Sequence, residues 1–243
     1  MFTGFSDETA DMFWDIRFHN DREWFRTQKE RFDRAVMQPV KALSGELYDW
    51  LDAQHPQLHM NLHISRIYRD ARRLFGRGPL KDHIWFSFQN EIEGYAEAPC
   101  LWFEVGCEGY AYGLGYWMPP ADAARYRREI DRDPAVMKKR IRRFNAQQTF
   151  RLEGDDYARA KGHADDALGA WYNKRWLGLT CRRAYDPLCT TPELFTLVRD
   201  GFEFLMPYYQ FADHIYRSAE FITAANQSIC GGLSVISAKY PSR

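Results

Sequence analysis

Apolar positions along the chain follow two rhythms, helical toward both ends and strand-like through the middle. Met12, Phe13 and Ile16 recur at helical spacing behind Ser6 or Asp7, either of which can cap a helix start. Asn20 or Asp21 caps a second helix with Trp24, Phe25, Phe32 and Val36 on its buried side. Pro39 interrupts that pattern, and Val40, Leu43, Leu47 and Leu51 carry a helical stripe on to about residue 54. From about residue 58 the period falls to two. Leu58, Met60, Leu62 and Ile64 alternate with His59, Asn61, His63 and Ser65, as in a half-buried strand. A second strand is predicted from His83 to Phe88. Leu101 to Val105 and Tyr110 to Trp117 then flank Gly106-Cys107-Glu108-Gly109 as a hairpin. Its second strand puts Ala111, Gly113 and Gly115 on one face and Tyr110, Tyr112, Leu114 and Tyr116 on the other. Small residues in a strand mark close approach of a neighbour, and a packed helix is expected there ahead of a ligand.

Beyond the hairpin, Pro119-Pro120 opens a helix to about residue 132, and Asp133-Pro134 starts another to about residue 148. A strand remnant follows at residue 149, then a short helix starting at Asp165 or Asp166, then a last strand from Arg175 to Arg183. Thr191-Pro192 opens a long C-terminal helical stretch with a kink expected near Pro207. Helices flanking a block of sequential strands, without regular strand–helix alternation, predict an α+β fold. The expected architecture is a mainly antiparallel central sheet flanked by N-terminal and C-terminal helices. One domain over residues 1–243 is expected, with 227–243 as a peripheral tail.

Composition sharpens this picture. At 243 residues, 45% hydrophobic and 16% aromatic, the chain is long enough and greasy enough for a large aromatic core. Lys plus Arg and Asp plus Glu both number 33, so no long-range field draws nucleic acid or an anionic membrane, and any basic site must be local. The five cysteines, Cys100, Cys107, Cys181, Cys189 and Cys230, form no CxxC pair, which gives neither a zinc ribbon nor a dithiol redox motif. The first residues lack the basic and apolar regions of a signal peptide. No apolar run approaches the ~20 residues of a membrane span. A cytoplasmic protein with no membrane association is expected, its oligomeric state left open.

The strongest candidate chemistry lies in Arg66-Ile67-Tyr68-Arg69-Asp70-Ala71-Arg72-Arg73, which reads as a strand carrying charge on both faces. Gly76-Arg77-Gly78-Pro79 and then Lys81 and His83 follow it. At ~3.3 Å per residue, Arg66 and Asp70 share a face ~13 Å apart while Arg69 points the other way. Two readings stand. Arg66 and Arg69 can pair with helix carboxylates such as Glu23, locking helix to sheet, since buried charges are normally paired. Alternatively Arg69, Arg72, Arg77 and Lys81 converge as an anion site, guanidinium forks being suited to bidentate capture of phosphate or carboxylate. In that site Asp70 and His83 would be placed for acid–base chemistry, and Tyr112 or Trp24 would form an apolar wall.

Three ordered segments carry a family resemblance. They are Phe2-Thr3-Gly4-Phe5 with His19-Asn20-Asp21-Arg22-Glu23-Trp24-Phe25; the tract from Arg66 to Arg72 with Pro79-Leu80-Lys81-Asp82-His83; and the hairpin ending Gly115-Tyr116-Trp117-Met118-Pro119. Together they resemble the conserved hypothetical family catalogued as domain of unknown function 2461, over roughly residues 2 to 210. Where that family shows D-K-T-P-Y-K, this chain reads Gly76-Arg77-Gly78-Pro79-Leu80-Lys81, losing an aspartate and a tyrosine hydroxyl. The resemblance implies a compact intracellular α+β protein and carries no reaction with it.

Other features weigh less. His55, His59 and His63 repeat every fourth residue, but Pro56 and the period of two deny the helix on which that spacing would suit zinc. On a strand, neighbours in the series lie ~13 Å apart, so no metal site is expected. Lys138-Lys139-Arg140-Ile141-Arg142-Arg143 lies on a helix and gives the alternative function, a protein- or nucleic-acid-interaction module. The nearby Glu129, Asp131 and Asp133 argue against nucleic acid and for a solvated face. Glu23 suits the first turn of a helix through the dipole. No GxSxG, HExxH, GxxxxGK[ST] or GxGxxG motif occurs, and no cofactor is indicated. The expected function is capture of a small phosphate- or carboxylate-bearing ligand in a cleft beside the sheet.

Overall fold

The structure, a computed structural model, describes residues 1–74, 76–90, 98–163 and 166–236, with the backbone alone described for Arg73 and residues 219–236. The expectations for Asp165, for the side chain of Cys230 and for the tail from 237 onward lie outside it.

Helix α1 (Asp7–His19) begins where the Ser6 N–H donates to Thr9 Oγ1 at 3.1 Å and ends at Asn20, whose φ of 38° is left-handed. Asp21 then caps α2 (Arg22–Thr27), accepting from the Glu23 and Trp24 N–H groups at 2.8 Å each. After α3 (Lys29–Phe32), a π-helical turn (Asp33–Met37) leads into α4 (Gln38–Gln54). Pro39 therefore does not stop the chain's helical course. It follows on the widened turn, and the Ala35 carbonyl four residues back accepts the Thr9 hydroxyl at 2.7 Å in place of the N–H that proline lacks.

Six strands form one antiparallel sheet in the order β1-β2-β3-β4-β6-β5. They are β1 (Asn61–Ile64), β2 (His83–Gln89), β3 (Cys100–Gly106), β4 (Gly109–Tyr116), β5 (Arg151–Glu153) and β6 (Leu177–Ala184). The alternation at the start of β1 is shorter than expected, because a 3-10 turn (Pro56–Leu58) and a left-handed His59 at φ 47° precede it. The hairpin forms as predicted: Gly106 pairs Gly109 and the turn is Cys107-Glu108. Helices α5 (Pro120–Arg132) and α6 (Pro134–Asn145) follow β4. Short α7 (Gly169–Tyr172) precedes β6, and α8 (Glu193–Ile236) closes the described chain with Pro207 inside it.

Register decides which residues share a face. Phe86, Phe103, Tyr112 and Cys181 stand opposite one another across four strands, and all are buried. Helix α8 lies over this row: Phe202 meets Tyr112 and Phe88 edge-on at 6.3 and 6.1 Å. Gly201 makes the approach fit, because a Cβ there would come within 2.5 Å of the Tyr112 ring. The next row, Ser87, Trp102, Gly113 and Thr180, faces the other way. Among the described residues, the atoms nearest these glycines belong to the sheet and not to the helix expected on this small-residue face. The nearest atoms to the missing Cβ of Gly115 belong to Trp102 and Cys100, and those nearest Gly113 to Leu179 and Thr180. Glycine in β4 makes room for an indole and for the neighbouring strand.

Candidate functional site

The arginine tract is not a strand. Only Tyr68 pairs, in an isolated antiparallel bridge to Leu80. Beside that bridge the Arg69 N–H donates to the Pro79 carbonyl and the Lys81 N–H to the Ile67 carbonyl, both at 2.8 Å. Residues 67–81 thus form a closed arm between β1 and β2, rooted by buried Ile67 and Leu80. Asp70 caps its 3-10 turn (Ala71–Arg73) by accepting from the Arg72 N–H at 3.0 Å.

The end of α1 clamps this arm. Asn20 Oδ1 accepts from the Leu80 N–H at 2.9 Å and its Nδ2 donates to the Leu80 carbonyl at 3.2 Å. The amide lies so close to Gly78 that a Cβ there would sit 2.2 Å from Asn20 Oδ1. Gly76 turns the chain at φ 78°, a conformation that favours glycine. Phe25 of α2 meets the Tyr68 ring edge-on at 5.8 Å, and Arg22 lies over that ring at 5.9 Å. Two sequence motifs, the one around Asn20 to Phe25 and the arginine tract, are therefore packed against each other.

Between the arm and the sheet lies a groove of about 650 Å³ into which Arg66, Arg69, Arg72, Arg77 and Lys81 all project, with Asp70 its acid. Its wall and floor come from Tyr68, His63, Ser65 and Trp85. The cations differ in how far they are committed. Arg72 grips Asp70 through Nη2 at 2.8 Å and Nε at 3.1 Å. Arg69 donates from Nε to the Leu80 carbonyl at 3.0 Å and reaches Asp82 at 3.9 Å. Among the described residues, Arg66, Arg77 and Lys81 have no carboxylate within ion-pair distance. Half-buried Lys81 packs over the Trp85 ring at 5.8 Å. Burial, then repulsion from Arg69, hold its pKa below the ordinary lysine value, against an attraction to Glu104 and with a lesser repulsion from Arg66.

The structure gathers Arg69, Arg72, Arg77, Lys81 and Asp70, and leaves the other three candidates elsewhere. His83 opens β2 and lines a neighbouring cleft, its Nδ1 3.1 Å from Asp82 and its Nε2 3.8 Å from Glu104. Burial works against the Asp82 carboxylate there, but hydrogen bonds from Arg17 and His83 outweigh it and lower its pKa. Tyr112 is fully buried beneath α8, since the tyrosine side of β4 is the helix-covered side. Trp24 stacks on His19 at 4.6 Å, outside the groove lining. The sheet's aromatic contribution to the groove is Trp85, one residue in the odd-numbered series His83, Trp85, Ser87 that β2 turns away from the core. Arg66, for which pairing with a helix carboxylate is expected, lines the groove instead, and neither it nor Arg69 pairs with Glu23 among the described residues.

The remaining features separate as well. His55 meets Glu203 at 3.2 Å, His59 occupies its left-handed turn, and His63 lies against Trp85 at 5.3 Å. Among the described residues, no group of three His, Cys, Asp or Glu side chains is disposed to hold a metal ion. On α6, Lys138 reaches Asp166 at 3.8 Å, Arg140 lies over Phe211 at 4.7 Å and Arg143 over Phe204 at 4.6 Å. Lys139 and Arg142 face solvent. Among the described residues no helix is long and apolar enough to cross a membrane.

Fold and site together define an α+β protein whose six-stranded antiparallel sheet carries a cation-lined groove at its β1–β2 end. The family model described as conserved hypothetical protein (DUF2461) matches residues 8–211, and the chain belongs to that family. No curated protein matches it. The matched span contains the whole groove and the Asn20 clamp.

Proposed function

We propose that the protein binds a small anionic ligand, bearing phosphate or carboxylate, in the groove between the 67–81 arm and the sheet. The observation that carries this reading is the group Arg66, Arg77 and Lys81, cations that project into one groove without carboxylate partners among the described residues. Burial first, and repulsion from Arg69 second, lower the pKa of Lys81, and an anion in the groove would stabilise its ammonium. Arg66 and Arg77 supply forked donors, Lys81 a point charge against Trp85, and Arg69 a partly committed third guanidinium. Arg72 holds Asp70 and shapes the turn.

The basic face of α6 gives the interaction-module reading less support, because Lys138, Arg140 and Arg143 are engaged within the molecule. The favoured reading also sets the protein in the cytoplasm, where buried unpaired thiols such as Cys107, Cys181 and Cys189 stay reduced.

A thermal-shift screen of phosphorylated metabolites and carboxylates tests the site. A ligand at a hundred times its dissociation constant adds about 2.7 kcal/mol, which for a chain this size raises Tm by roughly 5–10 °C. Arg77→Ala/Lys81→Ala abolishes the rise, and Arg72→Ala leaves it in place. A rise that survives the double variant locates the ligand elsewhere and overturns the assignment.

A further inference from the structure

On the same sheet face, next to the cationic groove, lies a hollow of about 400 Å³ lined by strand and loop residues. Four of the chain's 8 tryptophans, Trp85, Trp102, Trp117 and Trp176, line it. Trp117 and Trp176 stack at 6.4 Å and 19°, and Trp117 remains 62% exposed. The indole of Trp102 lies against Gly115, where the missing Cβ would be 3.5 Å from Nε1. A solvated face of an antiparallel sheet ordinarily carries polar residues. Trp117 is open and Trp85, Trp102 and Trp176 are half-buried, which leaves apolar surface of the kind that marks a binding site.

The two depressions share a wall. Trp85 lines both, with Lys81 and His63 on its groove side. Glu104 stands opposite Trp85 across the strand pair, and Ser87 opposite Trp102. Trp85 and Trp102 are thus diagonal neighbours, ~7–8 Å apart at the backbone. Arg77 and Lys81 line the depression on one side of Trp85, and Trp102 and Gly115 the one on the other. One end offers uncommitted positive charge and the other flat indole faces, with the Glu104 carboxylate at the rim to accept hydrogen bonds.

We propose that the ligand of the cationic groove is a nucleoside phosphate, its phosphate held by Arg66, Arg77 and Lys81 and its base laid on the Trp85–Trp102 shelf. The charge at one end and the aromatic shelf at the other match the two chemically distinct ends of that class, and the shelf is sequence-tolerant because every base has a π-face. This rests on the anion reading above and specifies its substrate class; no reaction follows from it.

Isothermal titration of the intact protein with inorganic phosphate, ribose 5-phosphate, adenosine and the four common nucleoside 5′-monophosphates tests it. At least one monophosphate is expected to bind tenfold or more tighter than ribose 5-phosphate, one stacked base being worth a factor of about five to a hundred and fifty. Trp102→Ala removes that advantage while ribose 5-phosphate affinity stays, and Trp102→Phe restores most of it. The Phe variant separates loss of the shelf from loss of folding. Arg77→Ala/Lys81→Ala weakens ribose 5-phosphate and nucleotide alike. If ribose 5-phosphate binds as tightly as every nucleotide, the base shelf is refuted and the anion site stands. If adenosine binds and neither sugar phosphate nor nucleotide gains over it, the anion site itself fails. Absence of binding by every probe overturns both.

Discussion

Phe86, Phe103 and Tyr112 lie side by side beneath α8, while on the same three strands Ser87, Trp102 and Gly113 turn to the opposite face. The first row is closed. Phe86 and Phe103 stack at 5.2 Å, Phe103 stacks on Phe5 at 6.1 Å, and Tyr112 meets Phe150 edge-on at 5.5 Å. Burial alone accounts for these residues, because enclosed aromatic area is the main favourable term in folding. The second face keeps its tryptophans only partly covered and sets charge beside them. The two faces therefore differ in how far packing alone accounts for their residues.

The largest test of this division compares equal truncations. Phe202→Ala, beneath which Phe88 and Tyr112 pack, is expected to lower stability by about 3–5 kcal/mol in urea unfolding. Trp102→Ala, on the half-covered face, removes a larger side chain at a smaller cost to folding. Equal losses would mean that both faces are core and that the open face has no separate purpose.

A middle-sized effect is expected where the two regions join. Asn20→Ala removes both hydrogen bonds that clamp Leu80 and leaves its backbone N–H and carbonyl with one partner fewer, at about 1–3 kcal/mol. The same change releases the 67–81 arm, so phosphate affinity should fall although Asn20 does not line the groove. Lost stability with unchanged affinity would show that the groove is held by the sheet alone.

The hairpin can be read from the chain with little help. The alternation in β4 separates the tyrosines from the small residues without saying which set the helix covers, and the two-residue turn Cys107-Glu108 follows from its flanking glycines. Family membership, too, rests on contiguous motifs. The groove is harder, for stated reasons. The arm closes on a single bridge between Tyr68 and Leu80, whose spacing along the chain carries no periodic signal. Arg66 resembles an ion-pairing residue until the absence of a nearby carboxylate among the described residues is seen in three dimensions. Tyr112 could be assigned to a wall because its strand face was known and the identity of the covering element was not. Once β4 gives its tyrosine side to α8, the same alternation in β2 hands the wall to Trp85. That odd-numbered series was the available signal, and it only becomes informative when the covered face is fixed.

The smallest expected change in stability is also the one whose sign discriminates best. Lys81 has a folded-state pKa below its ordinary value, owing first to burial and then to repulsion from Arg69 and Arg66. Between that lowered value and about 10.4, the unfolded chain binds more protons than the folded one, so this group makes stability rise with pH across that window. Below the window its ammonium opposes folding in full. Lys81→Met keeps the length of the side chain against Trp85 and removes the charge, so stability at neutral pH should hold or rise slightly, and the gain on approaching pH 10 should flatten. Anion affinity should fall in the same protein. A residue of the covered face cannot behave this way, because truncating it weakens folding and function together. If chemical unfolding shows Lys81→Met to be less stable at pH 7, the lysine is part of the scaffold, and the contrast between a face built for packing and a face built for binding does not extend to the groove.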